Sequence, residues 1–399
     1  MRNDNLLNGI VLADLHFGAI NSNRFMEELN GCLFRYLAKY VLKEHRLMDF
    51  VVIAGDTFDL SEPLNSTVTQ NVIRFLSQLT WYTEHLWVIE GTRSHDALQT
   101  ETLKVIFDSL YTEGITCIVK FIQKVTSINC YGTKILFLPE EFVSDQEEYY
   151  KEWFSEKYDL IFGHGMVDKI WYADDSKRGH SKAPITPVFS VDELCSIGKY
   201  VYFGHVHEHH AYGPNGRFKY VGPTTRWEFG KEHDCGFYHV AYDKTSKLAD
   251  ENFVVNTFAQ KLDTISMTYK EGDTIELFQN RIINEVTPRT DDCDRLRVIV
   301  NIPRSIKDFD VVRPMIFTKL TACKKVVPTI KIMEDTAETT DDTDIGTDSE
   351  PTMFANNSTE DIRIQDYIKS TMDKDVSIRS IRDTIGYNKV YKREDDENE

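Results

Sequence analysis

Asp and His recur along this chain in five short motifs, each following an apolar, strand-like run: DLH at 14–16, GDTFD at 55–59, GTRSHD at 91–96, GHG at 163–165 and GHVH at 204–207. The runs before them, such as NGIVLA at 8–13, FVVIA at 50–54 and KYVYF at 199–203, are short and rich in β-branched or aromatic residues. They read as buried strands. Any fold has to release Asp14, His16, Asp56, Asp59, His95, His164, His205 and His207 at strand ends. In α/β sheets the C-terminal strand ends are where ligand sites form.

Between the first two runs the spacing predicts a helix, capped by Ser22 or Asn23, with Phe25, Leu29, Leu33, Tyr36, Leu37 and Tyr40 on one face. Helices follow at about 65–82 and 97–113 around a strand at 86–90, and strands recur at 134–138, 158–162, 199–203, 217–221 and 236–242. Alternation of strands and helices predicts a layered α/β fold. The chain turns polar at 243–252, closing a first domain at 1–252. Strand, helix, strand, helix, strand at 263–269, 272–286, 296–302, 308–321 and 326–333 then make a second domain, 253–334. Residues 335–359 are rich in Asp, Thr and Ser and read as a disordered linker. Ile364, Tyr367, Ile368, Thr371 and Met372 share a helical face, and Ile378, Ile381 and Ile385 mark a second helix. Two such helices beyond a linker cannot bury their apolar faces alone, so residues 360–393 are expected to dock on a partner. An acidic tail, 394–399, ends the sequence.

The formal net charge of −18 looks wrong for a nucleic-acid binder. Eight acids lie in 334–350 and five more in 394–399; without these thirteen, 51 acids face 46 bases, a balance of −5. Net charge therefore neither supports nor excludes DNA as a substrate. Seven scattered cysteines, odd in number and without a CxxC pair, favour reduced thiols in a cytoplasmic protein. No stretch approaches the length of a membrane span. The N-terminal run is broken by Asp14 and reads as a core strand, not a signal peptide.

Asp14 and His16 alternate at i and i+2, so both side chains can reach one cation. His205 and His207 repeat that logic, with His209 and His210 as bystanders beyond the strand end. Gly55 permits a tight turn, after which the Asp56 carboxylate can bridge two cations about 3.5–4 Å apart. Asp59 is placed to orient the loop or a ligand histidine. His164 is a lone histidine between glycines, and taken alone it would be structural.

Taken jointly and in order, the motifs resemble the calcineurin-like metallophosphoesterases. Among them the chain is similar to the SbcD-type DNA repair exonuclease subunits, which work with an SbcC-type coiled-coil ATPase. YVGPTTRWEFGKEHDCGF at 220–237 resembles that group's segment after GHxH. The resemblance covers about 1–245 by motif, and 253–334 and 360–393 by layout only. It implies a two-layered β-sandwich core flanked by helices, a small α+β capping domain that touches DNA, and a C-terminal helical tail that binds the ATPase. It implies a homodimer, no membrane association, and two divalent metal ions, Mn²⁺ foremost, with Mg²⁺, Zn²⁺ or Fe²⁺ as substitutes.

Carried over, Asp14, His16 and His207 hold one metal, His164 and His205 the other, and Asp56 bridges them. His95 assists the transferring phosphate or the leaving group, with Asp96 holding its tautomer. The family's GNHD is here GTRSHD, so a metal-binding Asn is missing. Counting back from His95 puts Ser94 in its place, and Arg93 becomes a candidate contact to the scissile phosphate. The implied activity is metal-dependent exonuclease and endonuclease cleavage of DNA in end processing, recombination and repair. The competing expectations are a phosphomonoesterase or cyclic-nucleotide phosphodiesterase of the same superfamily, and a non-catalytic scaffold with a degraded second metal site.

Overall fold

A computed structural model describes residues 5–110, 116–141, 143, 145–171, 188–230, 233–270, 272–303, 309–323 and 325–333. The linker, the helices at 360–393 and the acidic tail expected from sequence lie outside the described residues.

Two six-stranded mixed sheets carry the chain's first part. In the first, the strands run in the order Leu248–Val255, Gly236–Asp243, Leu6–Leu12, Met48–Ala54, Thr83–Ile89, Ile118–Ile122. The last four are mutually parallel, and the Gly236–Val255 hairpin adds antiparallel to Leu6–Leu12. In the second sheet the order is His210–Tyr212, Phe218–Tyr220, Gly198–Gly204, Tyr158–His164, Thr133–Leu138, Thr126–Cys130. It too has four parallel strands, with an antiparallel strand at each edge.

The strands nearest the middle are buried on both faces, as parallel strands covered on two sides must be. Leu7, Val11, Phe50, Val52 and Trp87 of the first sheet meet Ile135, Phe137, Leu160, Phe162 and Tyr202 of the second in one core. Phe50 and Phe162 approach to 5.6 Å between ring centroids, and Trp87 and Phe137 to 5.2 Å. Side chains alternate along a strand, so Ile10, Leu12, Val51 and Ile53 face the other way, toward the helices.

Those helices include a continuous one from Ser22 to Glu44, interrupted by a π turn at Asn30–Phe34. Its cap is Asn21, not Ser22 or Asn23 as the sequence suggested. The Asn21 side chain accepts from the backbone N–H groups of Asn23 and Arg24, both at 3.1 Å, while Ser22 already has helical geometry. Phe25, Leu29, Leu33 and Leu37 pack onto the sheet with no exposed area. Truncating one of them, as in Leu29→Ala, should cost about 2–5 kcal/mol.

Four strands of these sheets were not assigned from the sequence: Ile118–Ile122, Thr126–Cys130, His210–Tyr212 and Leu248–Val255. Leu248–Val255 crosses residue 252, where the sequence reading ended the first domain. The polar stretch there is one side of a hairpin whose solvent-facing residues alternate with half-buried ones.

From Leu262 the order is strand Leu262–Thr268, helix Ile275–Asp292, strand Arg295–Pro303, helix Phe309–Thr321 and strand Val326–Met333. The three strands are parallel, with Arg295–Pro303 central. Each helix is a crossover between parallel strands, so this module is α/β in construction, not the α+β expected. It has its own core of Phe278, Ile282, Leu296, Val298, Val300 and Ile316. No helix among the described residues is long and apolar enough to cross a membrane.

Candidate metal centre

The motifs leave from the C-terminal ends of parallel strands in both sheets, and their loops are tied side by side. Asp14 N–H donates to Gly55 O at 3.2 Å, His16 N–H to Asp56 O at 3.0 Å and Phe17 N–H to Thr57 O at 2.9 Å. Asp14, His16, Asp56 and His205 all have positive φ, at 48°, 43°, 50° and 98°. An L-residue in that region costs on the order of 1–2 kcal/mol. Four such residues at one place mark a backbone held in strain to aim side chains.

Their side chains converge. His16 Nε2 and His207 Nε2 stand 3.0 Å apart. Asp56 Oδ2 lies 3.2 Å from His164 Nε2 and 3.6 Å from His16 Nε2. Donor atoms of Asp14, His16, Asp56 and His207 form one group within mutual reach, and those of Asp56, His164 and His205 form another. Asp56 belongs to both.

Several of the remaining atoms of these residues have partners of their own. His164 Nδ1 donates to Ala54 O at 2.9 Å, which leaves Nε2 facing Asp56. Asp14 Oδ1 accepts from His205 N–H at 2.7 Å, while Asp14 Oδ2 is buried without a hydrogen-bond partner. Asp56 Oδ1 accepts from Thr92 N–H at 2.6 Å. His207 Nδ1 lies 2.9 Å from Glu228 Oε1, and His16 Nδ1 is 3.4 Å from Asp59 Oδ1. A ring nitrogen held by a carboxylate or carbonyl, with the other aimed inward, is how proteins orient metal-ligating histidines.

Burial pushes the Asp14 carboxyl up from its ordinary range, against His164 and His207. Burial acts the same way on Asp56, but the charge and hydrogen bond of His164, with His16, outweigh it and hold Asp56 well below the usual carboxylate range. Burial alone would lower His164, yet Asp56 and Asp14 carry it up to about 10. Without a cation, a proton on His164 supplies the positive charge this acidic pocket requires. His205 goes down through burial and the neighbouring His164. His207 goes up because Glu228 and Asp14 overcome its burial.

Some sequence assignments move. Ser94 is exposed on the first turn of the helix Arg93–Leu110, as is Arg93. The hydroxyl that reaches the cluster is Thr92 Oγ1, 3.3 Å from Asp56 Oδ2 and 3.4 Å from both His164 Nε2 and His205 Nδ1. Thr92 occupies the cap position of that helix, its carbonyl accepting from Asp96 N–H at 3.0 Å, but its side chain turns to the cluster instead of capping. Gly91 permits this: a Cβ there would lie 2.2 Å from Asp56 N.

Asp96 does not hold His95. Its carboxylate accepts from the backbone N–H groups of Gly91, Thr57 and Phe58, at 2.9, 3.3 and 3.1 Å. Adjacent helical residues point about 100° apart, which separates the two side chains. Burial and the nearby Asp56 push Asp96 up to about 7. His95 is held instead through Nδ1 by the Asp59 carbonyl, with its ring edge-on to His16 at 4.8 Å. His209 stacks on Phe253 at 3.9 Å, and His210 is exposed on an edge strand.

Three residues near the cluster carried no sequence signal. Glu140 Oε2 lies 3.8 Å from His205 Nδ1. Glu228 holds His207. Trp227 packs its ring 4.8 Å from His16 and 5.1 Å from His207. The last two fall inside the 220–237 segment noted for its resemblance, but nothing in their spacing ties them to GHVH.

No protein-family model and no curated protein matches the chain.

Proposed function

We propose that this chain hydrolyses DNA phosphodiester bonds with two divalent cations, as an SbcD-type nuclease subunit built on the two-layered sandwich of the calcineurin-like metallophosphoesterases. The observation that carries this reading is Asp56 Oδ2, placed between His16 Nε2 and His164 Nε2 at 3.6 and 3.2 Å. A carboxylate shared by two histidine-bearing groups is the bridge a two-metal site needs. The donor set suits a borderline to hard divalent cation such as Mn²⁺, Zn²⁺ or Fe²⁺, since imidazole and carboxylate stand together in it. The orphaned Asp14 Oδ2 supports the same reading, because buried polar atoms are left bare chiefly where an ion or water belongs.

When bound, the two cations would lower the pKa of a water between them and neutralise the phosphate. Asp14, His16 and His207 would hold one, His164, His205 and Thr92 the other, with Asp56 common to both. His95, fixed at Nδ1 by the Asp59 carbonyl, keeps Nε2 for a proton or hydrogen bond to the leaving oxygen. Glu228 keeps His207 aimed inward, and Asp59 Oδ1 lies 3.4 Å from His16 Nδ1. Arg93, exposed beside this loop, remains a candidate for pairing with phosphate oxygens. The module from Leu262 would touch the duplex, and residues 360–393 would bind an SbcC-type coiled-coil ATPase in a homodimeric assembly; both assignments rest on the layout of the sequence.

The test is hydrolysis of end-labelled linear duplex DNA by the full chain with Mn²⁺, alongside a small aryl phosphate and alongside Asp56→Ala. The expected outcome is duplex cleavage that falls by about 10³-fold or more in the variant, since both cations lose their shared ligand. Cleavage of the aryl phosphate alone would favour a phosphomonoesterase. Unchanged duplex cleavage in Asp56→Ala would remove the two-metal assignment.

A further inference from the structure

His16 has a second edge. Its Nε2 faces His207 and Asp56, at 3.0 and 3.6 Å. Its Nδ1 faces Asp59 Oδ1 at 3.4 Å and has no hydrogen-bond partner, although the side chain is only 3% exposed. A bare ring nitrogen is costly to bury. His95 stands edge-on to the same ring, 4.8 Å away between centroids. His16, Asp59 and His95 each bring a ligand atom within 4.8 Å of the other two, a third group within reach of one cation. Of the residues in the first two groups, His16 alone belongs to it.

The donor set differs from that of the first group, which has two carboxylates. Two imidazoles and one carboxylate are the three-ligand set of an open zinc site, which leaves a fourth place to water. Asp59 and His95 are both part-exposed, so water reaches that side of His16. Sites of this kind bind Zn²⁺ more tightly than Mn²⁺. The Asp59 carbonyl fixes the His95 ring at Nδ1, which leaves Nε2 with the lone pair a cation needs.

We infer that His16, Asp59 and His95 form a third cation site, of zinc type, that competes with the first for His16. A neutral imidazole has one bare nitrogen and one N–H. His16 therefore serves either the first cation through Nε2 or a zinc ion through Nδ1. Zinc in the third site leaves the first cation with Asp14, Asp56 and His207 alone and engages His95, which silences the centre. The competition, though not the zinc site, rests on the two-metal reading above.

The experiment is calorimetric titration of the metal-free, full-length chain, with thermal melting of each variant as a check on folding. His207→Ala weakens the first site, so in that chain Zn²⁺ should fill two sites, one of them the third group. Adding Asp59→Ala should weaken one of the two at least tenfold. Adding His95→Ala instead should do the same, and serves if the Asp59 variant melts early. Asp59→Ala by itself, titrated with Mn²⁺, should keep two ions within twofold of the unaltered affinities. Zn²⁺ affinities within twofold with and without Asp59 and His95 would overturn the zinc site while leaving the two-metal reading standing. A weakened Mn²⁺ site in Asp59→Ala would make Asp59 a support for His16 and overturn the inference. Fewer than two Mn²⁺ on the unaltered chain would overturn the two-metal reading, and the competition with it.

Discussion

His164 occupies the space that a side chain on Gly55 would need: a Cβ built there would lie 2.1 Å from His164 Nδ1. Gly55 has φ of +80°, and its lack of a side chain lets the imidazole of one sheet press against the strand end of the other. The same approach brings Nδ1 to the Ala54 carbonyl and turns Nε2 to Asp56. Gly55→Ala should therefore displace His164 and destabilise the protein by about 1–3 kcal/mol through overpacking. Melting of the metal-free chain would report the stability loss, and Mn²⁺ titration the loss of one of two ions. A variant that binds two ions at unaltered affinity would mean His164 is not a ligand.

The loop at 91–96 makes a prediction that separates two adjacent hydroxyls. Thr92 Oγ1 faces both His164 and His205, whereas Ser94 is exposed. Thr92→Asn should lower the half-saturating Mn²⁺ concentration several-fold, because a carboxamide oxygen is the better ligand. Ser94→Asn should change it by less than twofold. The reverse ranking in a titration of activity against Mn²⁺ would return Ser94 to the site.

This pair also shows what sequence could and could not carry. Asp14, His16, Asp56, His164, His205 and His207 were legible because each ends a β-branched run at the alternation a strand imposes. Thr92 was missed because its loop was aligned backward from His95, and the fixed point is Gly91, whose Cβ would collide with Asp56. The tautomer partner of His95 was missed because it is a backbone carbonyl, which no residue type announces. Glu140 and Glu228 reach the cluster only through tertiary packing between separate loops. Of the architecture, the parallel strands and the module after Leu262 followed from apolar periodicity. The strand at Thr126–Cys130 did not, since three of its five residues, Thr126, Ser127 and Asn129, are polar.

The Asp56–His164 pair gives the metal-free chain a definite pH dependence. His164 is raised from its ordinary 6.5 to about 10, chiefly against its own burial and through Asp56. A raised histidine binds more proton in the folded state than in the unfolded one. Its stabilisation is fully present below pH 6.5 and is lost as pH rises toward 10. The melting temperature of the metal-free chain should fall across that window, and His164→Gln should flatten the fall. On the proposed reading Mn²⁺ would take the place of the proton, so its affinity should rise over the same range. Melting curves from pH 6.5 to 10 with and without Mn²⁺ check both signs; a flat metal-free profile in the unaltered chain would contradict the pairing.

The loop that steadies His207 is itself gripped by the module from Leu262. Glu228 Oε1 is 2.9 Å from His207 Nδ1, and the next residue, Phe229, has its ring under the guanidinium groups of Arg295 and Arg297, at 5.5 and 5.1 Å. Each such contact contributes about 0.5–1 kcal/mol. Removing the orienting carboxylate typically costs 10–100-fold in metal affinity. Glu228→Ala should therefore weaken the site of Asp14, His16 and His207 by about that factor and spare the other. Phe229→Ala should weaken the same site by a smaller, several-fold amount, because the loop then holds Glu228 less firmly. Arg295→Ala and Arg297→Ala together should reproduce the Phe229→Ala effect and add nothing to it in the triple variant, as residues acting through one contact do. Mn²⁺ titrations of these chains read the ordering directly. Additive losses would mean that the arginines and Phe229 act independently, and that the module does not support the metal centre through this clasp.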